Sequence, residues 1–489
     1  MIGETFKDVL RYVPSRLIPA FVAFVTVPIL THLLPPAEYG RYTLALSAAA
    51  LFTTLTSAWI SSSAIRFVPT YERDGALNRG LGVLLVVFLV SLALNMAAMG
   101  ALATVFAIRY LLPMSLVLVA LLLCVTSASQ EFLLGLLRSR RRVTTFTFLA
   151  SASGIAGYVL AIAIAATFGP SARSVVLGLV VGGLLVLPFS VRSSLAGVAV
   201  EFSDLKAAQT REVLRYGLPA LIINALTWVM VLSDRYVLGA TQGEHVVGIY
   251  AVSRDLSDKV LMLFNTLVLL ASTPLGVAVW EKQGVDAARR YVTQLTRYYL
   301  MLALPLAVGM GVLARPLIGT LADPRYHDGY RLVPFVAAGS VLAGLATRYT
   351  LGLTFRKRTD LLSGCYLGAG LLNVLLNVIL VPRYGFMAAA VVNVITFGTL
   401  LLLVQLVARS HFTWSFPRSA LMRIGAATVV MGSVVWLTSN AIKSDLGQLA
   451  AGIPLGIITY SIVLLVLGEI GPQERAALVR HFGLKQDRA

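Results

Sequence analysis

Charged residues are scarce in this chain, and cysteines scarcer still. Asp, Glu, Lys and Arg together supply 13% of its 489 residues, about half of the ~25% usual in a soluble domain. So small a polar share cannot cover a water-soluble molecule of this length. The two cysteines, Cys124 and Cys365, both lie inside apolar stretches. They offer no pair in an exposed loop, so neither a structural disulfide nor a metal site is expected. No Gly-Lys-Ser/Thr loop that could cradle a phosphate occurs, which argues against ATP hydrolysis. The strict alternation of a membrane β-barrel strand is also missing. Acidic residues are outnumbered, 22 against 40 basic ones, for a formal charge of +18.

Apolar residues fill the remainder, with 58% of the chain and a mean hydropathy of +0.83. They come in blocks of about 20 or more, enough to cross a hydrocarbon core of about 30 Å as helix. Backbone polar groups in lipid must be satisfied within the segment, which selects helices. Fourteen spans are predicted: 12–34, 41–68, 81–108, 110–137, 143–168, 172–196, 214–238, 248–272, 291–314, 332–354, 361–381, 386–408, 420–440 and 447–468. The first block is too long for a signal-peptide core and lacks a cleavage pattern, so it reads as an uncleaved span. The expected fold class is all-α integral membrane, with short connections that leave no room for an extramembrane domain.

Basic residues sort by side. Arg138, Arg140, Arg141 and Arg142, then Arg356, Lys357 and Arg358, crowd one set of connections. The opposite set holds isolated cations such as Arg173, Arg235 and Arg383. The positive-inside rule makes the crowded side cytoplasmic and puts both termini there. Topology thus accounts for most of the basic excess. No basic face with interleaved aromatics appears, so nucleic acid is not an expected partner.

Two echoes suggest an internal repeat. Gly135-Leu136-Leu137-Arg138-Ser139-Arg140-Arg141 leads after one span to Phe168-Gly169, and Gly352-Leu353-Thr354-Phe355-Arg356-Lys357-Arg358 leads after one span to Tyr384-Gly385. Gly40-Arg41-Tyr42 is echoed by Gly248-Ile249-Tyr250. Six spans separate the copies, so both have the same orientation, as in parallel repeats about an axis along the membrane normal. The expected organisation is a six-helix lobe (1–196), a cytoplasmic amphipathic linker (197–213), a second six-helix lobe (214–409), and a C-terminal helix pair with a tail (410–489).

Charges within spans are costly, about 2.5–3.5 kcal/mol each at a helix centre, and so are functional candidates. Arg16, Arg66, Arg297 and Arg348 lie within about two turns of cytoplasmic ends, where they could also reach headgroups by extending along the helix. Asp234, beside Arg235, lies near an outer end. Arg254, Asp255, Asp258 and Lys259 fall on one face of the eighth span, with Arg254–Asp258 and Asp255–Lys259 spaced as i,i+4 pairs. Facing lipid, the four would cost roughly 10 kcal/mol, so that face is expected to line a cavity or a lobe interface. The group has a cationic excess, which suits a phosphate or pyrophosphate. Glu131 is the interior acid of the first lobe. Pro14, Pro28, Pro219 and Pro305 sit in or at the ends of spans, where they allow bends.

Particular stretches resemble a known family. Pro28-Ile29-Leu30-Thr31-His32-Leu33-Leu34-Pro35-Pro36-Ala37-Glu38-Tyr39-Gly40-Arg41-Tyr42 resembles the first hairpin of bacterial polysaccharide flippases of the multidrug/oligosaccharidyl-lipid/polysaccharide exporter superfamily. Asp234-Arg235-Tyr236-Val237-Leu238-Gly239 with Val247-Gly248-Ile249-Tyr250-Ala251 is similar to that family's seventh-to-eighth span region, and Val381-Pro382-Arg383-Tyr384-Gly385-Phe386 to its eleventh-to-twelfth turn. The resemblance implies two lobes in a V shape, alternating access and a multi-pass place in the bacterial inner membrane. It also implies an undecaprenyl-pyrophosphate-linked oligosaccharide as substrate, moved from the cytoplasmic to the periplasmic leaflet. Membrane lipids, and polysaccharide polymerase and export proteins, are the partners it brings to mind. No cofactor is implied, although a coupling ion (H+ or Na+) fits the superfamily.

In the related lipid II flippase branch, cavity arginines on spans one, two and eight meet the pyrophosphate; by span, Arg16, Arg66 and Arg254 are their counterparts. The expected substrate-binding set is therefore Arg16, Arg66, Arg254, Lys259, Arg297 and Arg348. Asp234, Asp255 and Asp258 are expected to gate or to hold these cations when the site is empty. Catalytic residues are not expected. The rival expectations are a cation-coupled multidrug exporter of the same superfamily, and a membrane glycan polymerase or glycosyltransferase.

Overall fold

The computed structural model describes residues 2–109, 113–201, 207–356 and 358–471, excepting the side chains of 2–16, 103–109, 207, 208, 262–274 and 359. The helices are α1 (Ile2–Leu33), α2 (Pro36–Thr53), α3 (Trp59–Arg73), α4 (Leu77–Arg109), α5 (Met114–Ser139), α6 (Val143–Phe168), α7 (Ala172–Ser194), α8 (Ala207–Gln242), α9 (Glu244–Val312), α10 (Ala314–Leu321), α11 (Val333–Phe355), α12 (Thr359–Arg409), α13 (Arg418–Ala441) and α14 (Asp445–Val466). A π-helical turn, Thr54–Ala58, joins α2 to α3, and a 3-10 segment, Pro324–Leu332, leads into α11. Among the described residues there is no β-strand, and eleven helices are long and apolar enough to cross a membrane.

The 69 residues of α9 would run about 100 Å as one rod, three times a hydrocarbon core. Instead the helix breaks at Gly284 (φ 82°, ψ −174°), and α12 breaks at Gly385 (φ 67°, ψ −153°). Both conformations are open to glycine and strained for any other residue. Each long helix is therefore two limbs.

Within lipid, helices hold together by close packing of small residues. In α6 and α7 that contact is nearly backbone to backbone. A Cβ on Gly178 would lie 2.3 Å from Ala161, and one on Gly182 would lie 2.4 Å from Gly157. Elsewhere α1 packs on α6, α5 on α2 and α7, α11 on α9 and α12, and α12 on α8. The pair α13 and α14 packs on itself and against α9 and α10. The largest buried apolar cluster joins α1, α2, α5 and α7 to the first limb of α9. Outside, large apolar side chains such as Leu94, Phe148, Phe168, Leu371 and Met422 are exposed, as expected where the solvent is lipid.

Candidate functional site

The charged residues of the eighth span do not stay together as one group. Arg254 turns into the bundle, where its side chain is 3% exposed and contacts the equally buried Asp234 of α8. Its Nε donates to Asp258 Oδ2 at 3.2 Å, and Asp258 Oδ1 accepts from Ser340 of α11 at 2.9 Å. Tyr250 donates its hydroxyl hydrogen to Asp234 Oδ2 at 2.5 Å and also touches Arg254. Buried charges persist only when paired and hydrogen-bonded, and this cluster meets that condition with one cation between two carboxylates.

Asp255 and Lys259 face the other way, into a cavity of about 230 Å³. Its walls come from α1 (Ala23, Thr26, Val27, Leu30), α2 (Tyr39, Tyr42, Leu46, Ser47, Ala50), α6 (Tyr158), α8 (Leu232, Arg235) and α9 (Asp255, Lys259). The predicted Asp255–Lys259 pair gives way to a contact between helices. Asp255 Oδ1 accepts from Arg235 Nη2 at 2.5 Å, while Lys259 Nζ donates to the Ala23 carbonyl at 2.8 Å. The reason is desolvation. Arg235 is 5% exposed and would be a stranded buried cation without Asp255, whereas the half-buried Lys259 faces the cavity. Two cations thus stand against one carboxylate.

Both ends of this region are tied. At the opening turns of α2 and α9, the helices cross at backbone contact. A Cβ on Gly40 would lie 1.9 Å from the Glu244 carbonyl oxygen, and one on Gly248 would lie 2.0 Å from that of Pro36. The contact is reciprocal, since each glycine meets the carbonyl four residues before the other. Beside it, Glu38 accepts from Arg41 at 2.6 Å and from the backbone N–H of Ala172 at 2.8 Å. Arg41 also lies 3.8 Å from Glu244. The 3-10 segment straps the same corner, with Tyr326 donating to the Leu34 carbonyl at 2.8 Å and Arg325 to the Thr31 carbonyl at 3.3 Å. The Arg325 guanidinium holds the Asp323 carboxyl below its ordinary value. At the far end α3 meets α8, where Ser63 donates to the Val213 carbonyl at 3.4 Å and Phe67 packs edge-on against Tyr216. The π-helical turn of Thr54–Ala58 lies between these two contacts, at a position where such turns often serve function.

The predicted residues are dispersed. Lys259 and Asp255 line the cavity, and Arg254, Asp234 and Asp258 form the buried cluster behind it. Arg66 is exposed on α3, and among the described residues it has no ion pair or hydrogen-bond partner. Arg297 reaches past α9 to Glu469 at 2.6 Å, sharing that carboxylate with Arg423 of α13 at 3.4 Å. Arg348, fully buried on α11, donates to the Gly344 carbonyl at 3.0 Å and lies 4.1 Å over the Tyr299 ring. The side chain of Arg16 lies outside the described residues. Glu131, the first-lobe acid, pairs with Arg138 at 3.0 Å. Arg235 and the tyrosines Tyr39, Tyr42 and Tyr158 were not in the predicted set. The one available signal for Tyr158 was an aromatic hydroxyl alone among the small residues of α6.

The fold has known relatives. It is similar to the lipid II flippase MurJ in an inward closed conformation, with a TM-score of 0.73 and 14% identity over 95% of this chain and 99% of that one. It is also similar to an inward-facing multidrug resistance MATE family transporter of the MOP superfamily, with a TM-score of 0.66 and 15% identity over 85% and 98% of the two chains. A MOP superfamily transporter from Pyrococcus furiosus gives a TM-score of 0.59 at 14% identity, over 86% of this chain and 96% of that one. In sequence, an uncharacterized membrane protein of Methanocaldococcus jannaschii is 23% identical over 209 residues, which are 40% of this chain and 39% of that protein. The chain therefore spans about two fifths of the length of the curated relative it matches. Residues 6–277, more than half of the chain, match the polysaccharide biosynthesis protein family, and the chain belongs to it.

Proposed function

We propose that this chain is a flippase moving an undecaprenyl-pyrophosphate-linked oligosaccharide from the cytoplasmic to the periplasmic leaflet of a bacterial inner membrane. The carrying observation is the cavity in which Arg235 and Lys259 stand against the single carboxylate Asp255. A net cation in a site walled by tyrosines suits a phosphate-bearing group. At about 230 Å³ it is below the ~300–1,000 Å³ of sites that enclose whole small molecules. In this state it accommodates a phosphate rather than a glycan.

The architecture in this reading has fourteen spans, with Gly284 and Gly385 as turns within α9 and α12. Residues 1–196 and 214–409 form two six-helix lobes joined by 197–213, residues 410–489 add the last helix pair, and both termini are cytoplasmic. The glycine crossing then closes the periplasmic side. Parting it separates α8 and α9 from α1 and α2, and this breaks the Lys259–Ala23 hydrogen bond. Lys259 is thereby freed to take the pyrophosphate as the outer side opens. Arg66 and Arg16 meet the substrate earlier, on the cytoplasmic approach. Arg254, held by Asp234 and Asp258, keeps α8, α9 and α11 in register, while Arg297 and Arg348 anchor neighbouring helices.

The test is depletion of the protein in its host, with Lys259→Gln as a single-residue counterpart. Surface polysaccharide should fall while completed lipid-linked units accumulate on the cytoplasmic leaflet. Unchanged polysaccharide with altered resistance to cationic compounds would replace this reading with a cation-coupled multidrug exporter.

A further inference from the structure

A second cavity lies away from the charged one, where α12 ends and α13 begins. It measures about 390 Å³ and is lined by Tyr349, Gln405, Arg409, Trp414, Phe416 and Arg418, among others. Arg409 is the last residue of α12 and Arg418 the first of α13. Between them the loop Phe412-Thr413-Trp414-Ser415-Phe416 folds an aromatic wall. Tyr349 and Trp414 lie 4.8 Å apart, and Trp414 and Phe416 6.1 Å.

The charge of this corner is one-sided. Among the described residues, no carboxylate lines the cavity. The acids nearby are engaged elsewhere, Asp286 with Arg289, Asp360 with Arg358, and Glu469 with Arg297 and Arg423. Among the described residues, Arg409 and Arg418 have no ion pair, and neither Gln405 nor the Trp414 indole N–H has a hydrogen-bond partner. The cavity therefore offers two guanidinium groups, an amide and an indole, and among the described residues no acceptor receives their side-chain hydrogens.

Its surroundings say what kind of molecule brings the acceptor. One and two turns before Arg409, Leu406 and Leu402 are exposed, and one turn after Arg418 so is Met422. Exposed apolar side chains thus stand on both helices that leave the cavity, Leu402 and Leu406 on α12 and Met422 on α13. Trp and Tyr beside arginines are the composition of a membrane interface, and arginine forks match phosphate oxygens. We infer that this cavity binds the phosphate of an anionic phospholipid, whose acyl chains lie along Leu402, Leu406 and Met422. A free phosphate would use the arginines but leave these apolar side chains without a role. The site is separate from the transport cavity and stands whether or not the flippase reading does.

Native mass spectrometry of the purified full chain, extracted from nanodiscs containing phosphatidylglycerol and phosphatidylcholine, tests it. The protein should retain phosphatidylglycerol at least about tenfold over phosphatidylcholine, a difference well within reach of two charge-assisted contacts. Arg409→Gln with Arg418→Gln should abolish that preference, and each single change should reduce it. The control pair Arg192→Gln and Arg215→Gln removes the same charge from exposed arginines elsewhere and should leave the preference intact. Equal retention by the Arg409/Arg418 variant, or equal loss in the control pair, overturns the site. Loss of the preference on adding millimolar inorganic phosphate would assign the pocket to free phosphate and overturn the lipid. All four arginine variants should match the wild-type unfolding midpoint, since the four side chains are exposed.

Discussion

Replacing Gly40 with Ala tests the crossing of α2 and α9 directly. The new methyl carbon would sit 1.9 Å from the Glu244 carbonyl oxygen, while ordinary contact begins near 3.4 Å. The obstacle is backbone, so no side-chain rotation relieves it, and the helices must move apart by about 1.5 Å. Gly248→Ala demands the same displacement, from 2.0 Å against Pro36. Overpacking of this kind costs about 1–3 kcal/mol. Because one separation relieves both clashes, the double variant should cost about as much as either single one, not their sum. Against a closed state, 1–3 kcal/mol shifts the closed-to-open ratio roughly 5- to 150-fold. Spin labels at His32→Cys and His245→Cys, both exposed, report this by pulsed electron resonance, and the native Cys124 and Cys365 are buried. The distance should lengthen or gain a long component in all three variants, by similar amounts. An unaltered distance distribution in the folded double variant would refute the reasoning, and so would additive effects.

Other outcomes follow from the charged groups. Arg254→Ala leaves Asp234 and Asp258 without their cation and should destabilise the protein by about 3–5 kcal/mol. Adding Asp234→Asn and Asp258→Asn should recover most of the unfolding temperature, and failure to recover would mean that the cluster is not the cause. Lys259→Gln removes a cation that faces the cavity, so surface polysaccharide should be lost while the unfolding midpoint stays close to wild type; a large drop in midpoint would make the lysine structural. The strap contact should be insensitive to pH in the physiological range. Asp323 is held below its ordinary value of 3.8, so its contribution is complete above that value and is lost only as pH falls through the lowered one. The His32–His245 label distance, read between pH 5 and 8, should therefore show no change traceable to Asp323, and an Asp323→Asn variant should have the same profile.

The all-helical, multi-span character of the chain was legible because length and hydropathy are properties of a segment by itself. Helix ends were less so. The predicted span 41–68 is only the middle of a helix that runs from Pro36 through the π-turn to Arg73, because the flanking polar residues continue the helix beyond the lipid. Helical spacing pointed to Arg254–Asp258, which forms. It could not reveal that Asp255 prefers Arg235, since that partner sits on another helix and looks like an outer-loop cation when charges are counted along the chain. Arg297 and Arg348 were grouped with the cavity by depth alone, and depth does not say which way around the bundle a side chain points. The Gly40 and Gly248 echoes were visible as repeats, but their mutual contact spans more than two hundred residues.

That contact has a property of dimers. Each glycine presses on the carbonyl four residues before the other, so a single surface serves as both lock and key, as in an interface between identical subunits related by a two-fold axis. A side chain added on either side therefore acts on both, because the two glycines and the two carbonyls share one crossing and neither can be relieved without moving the other.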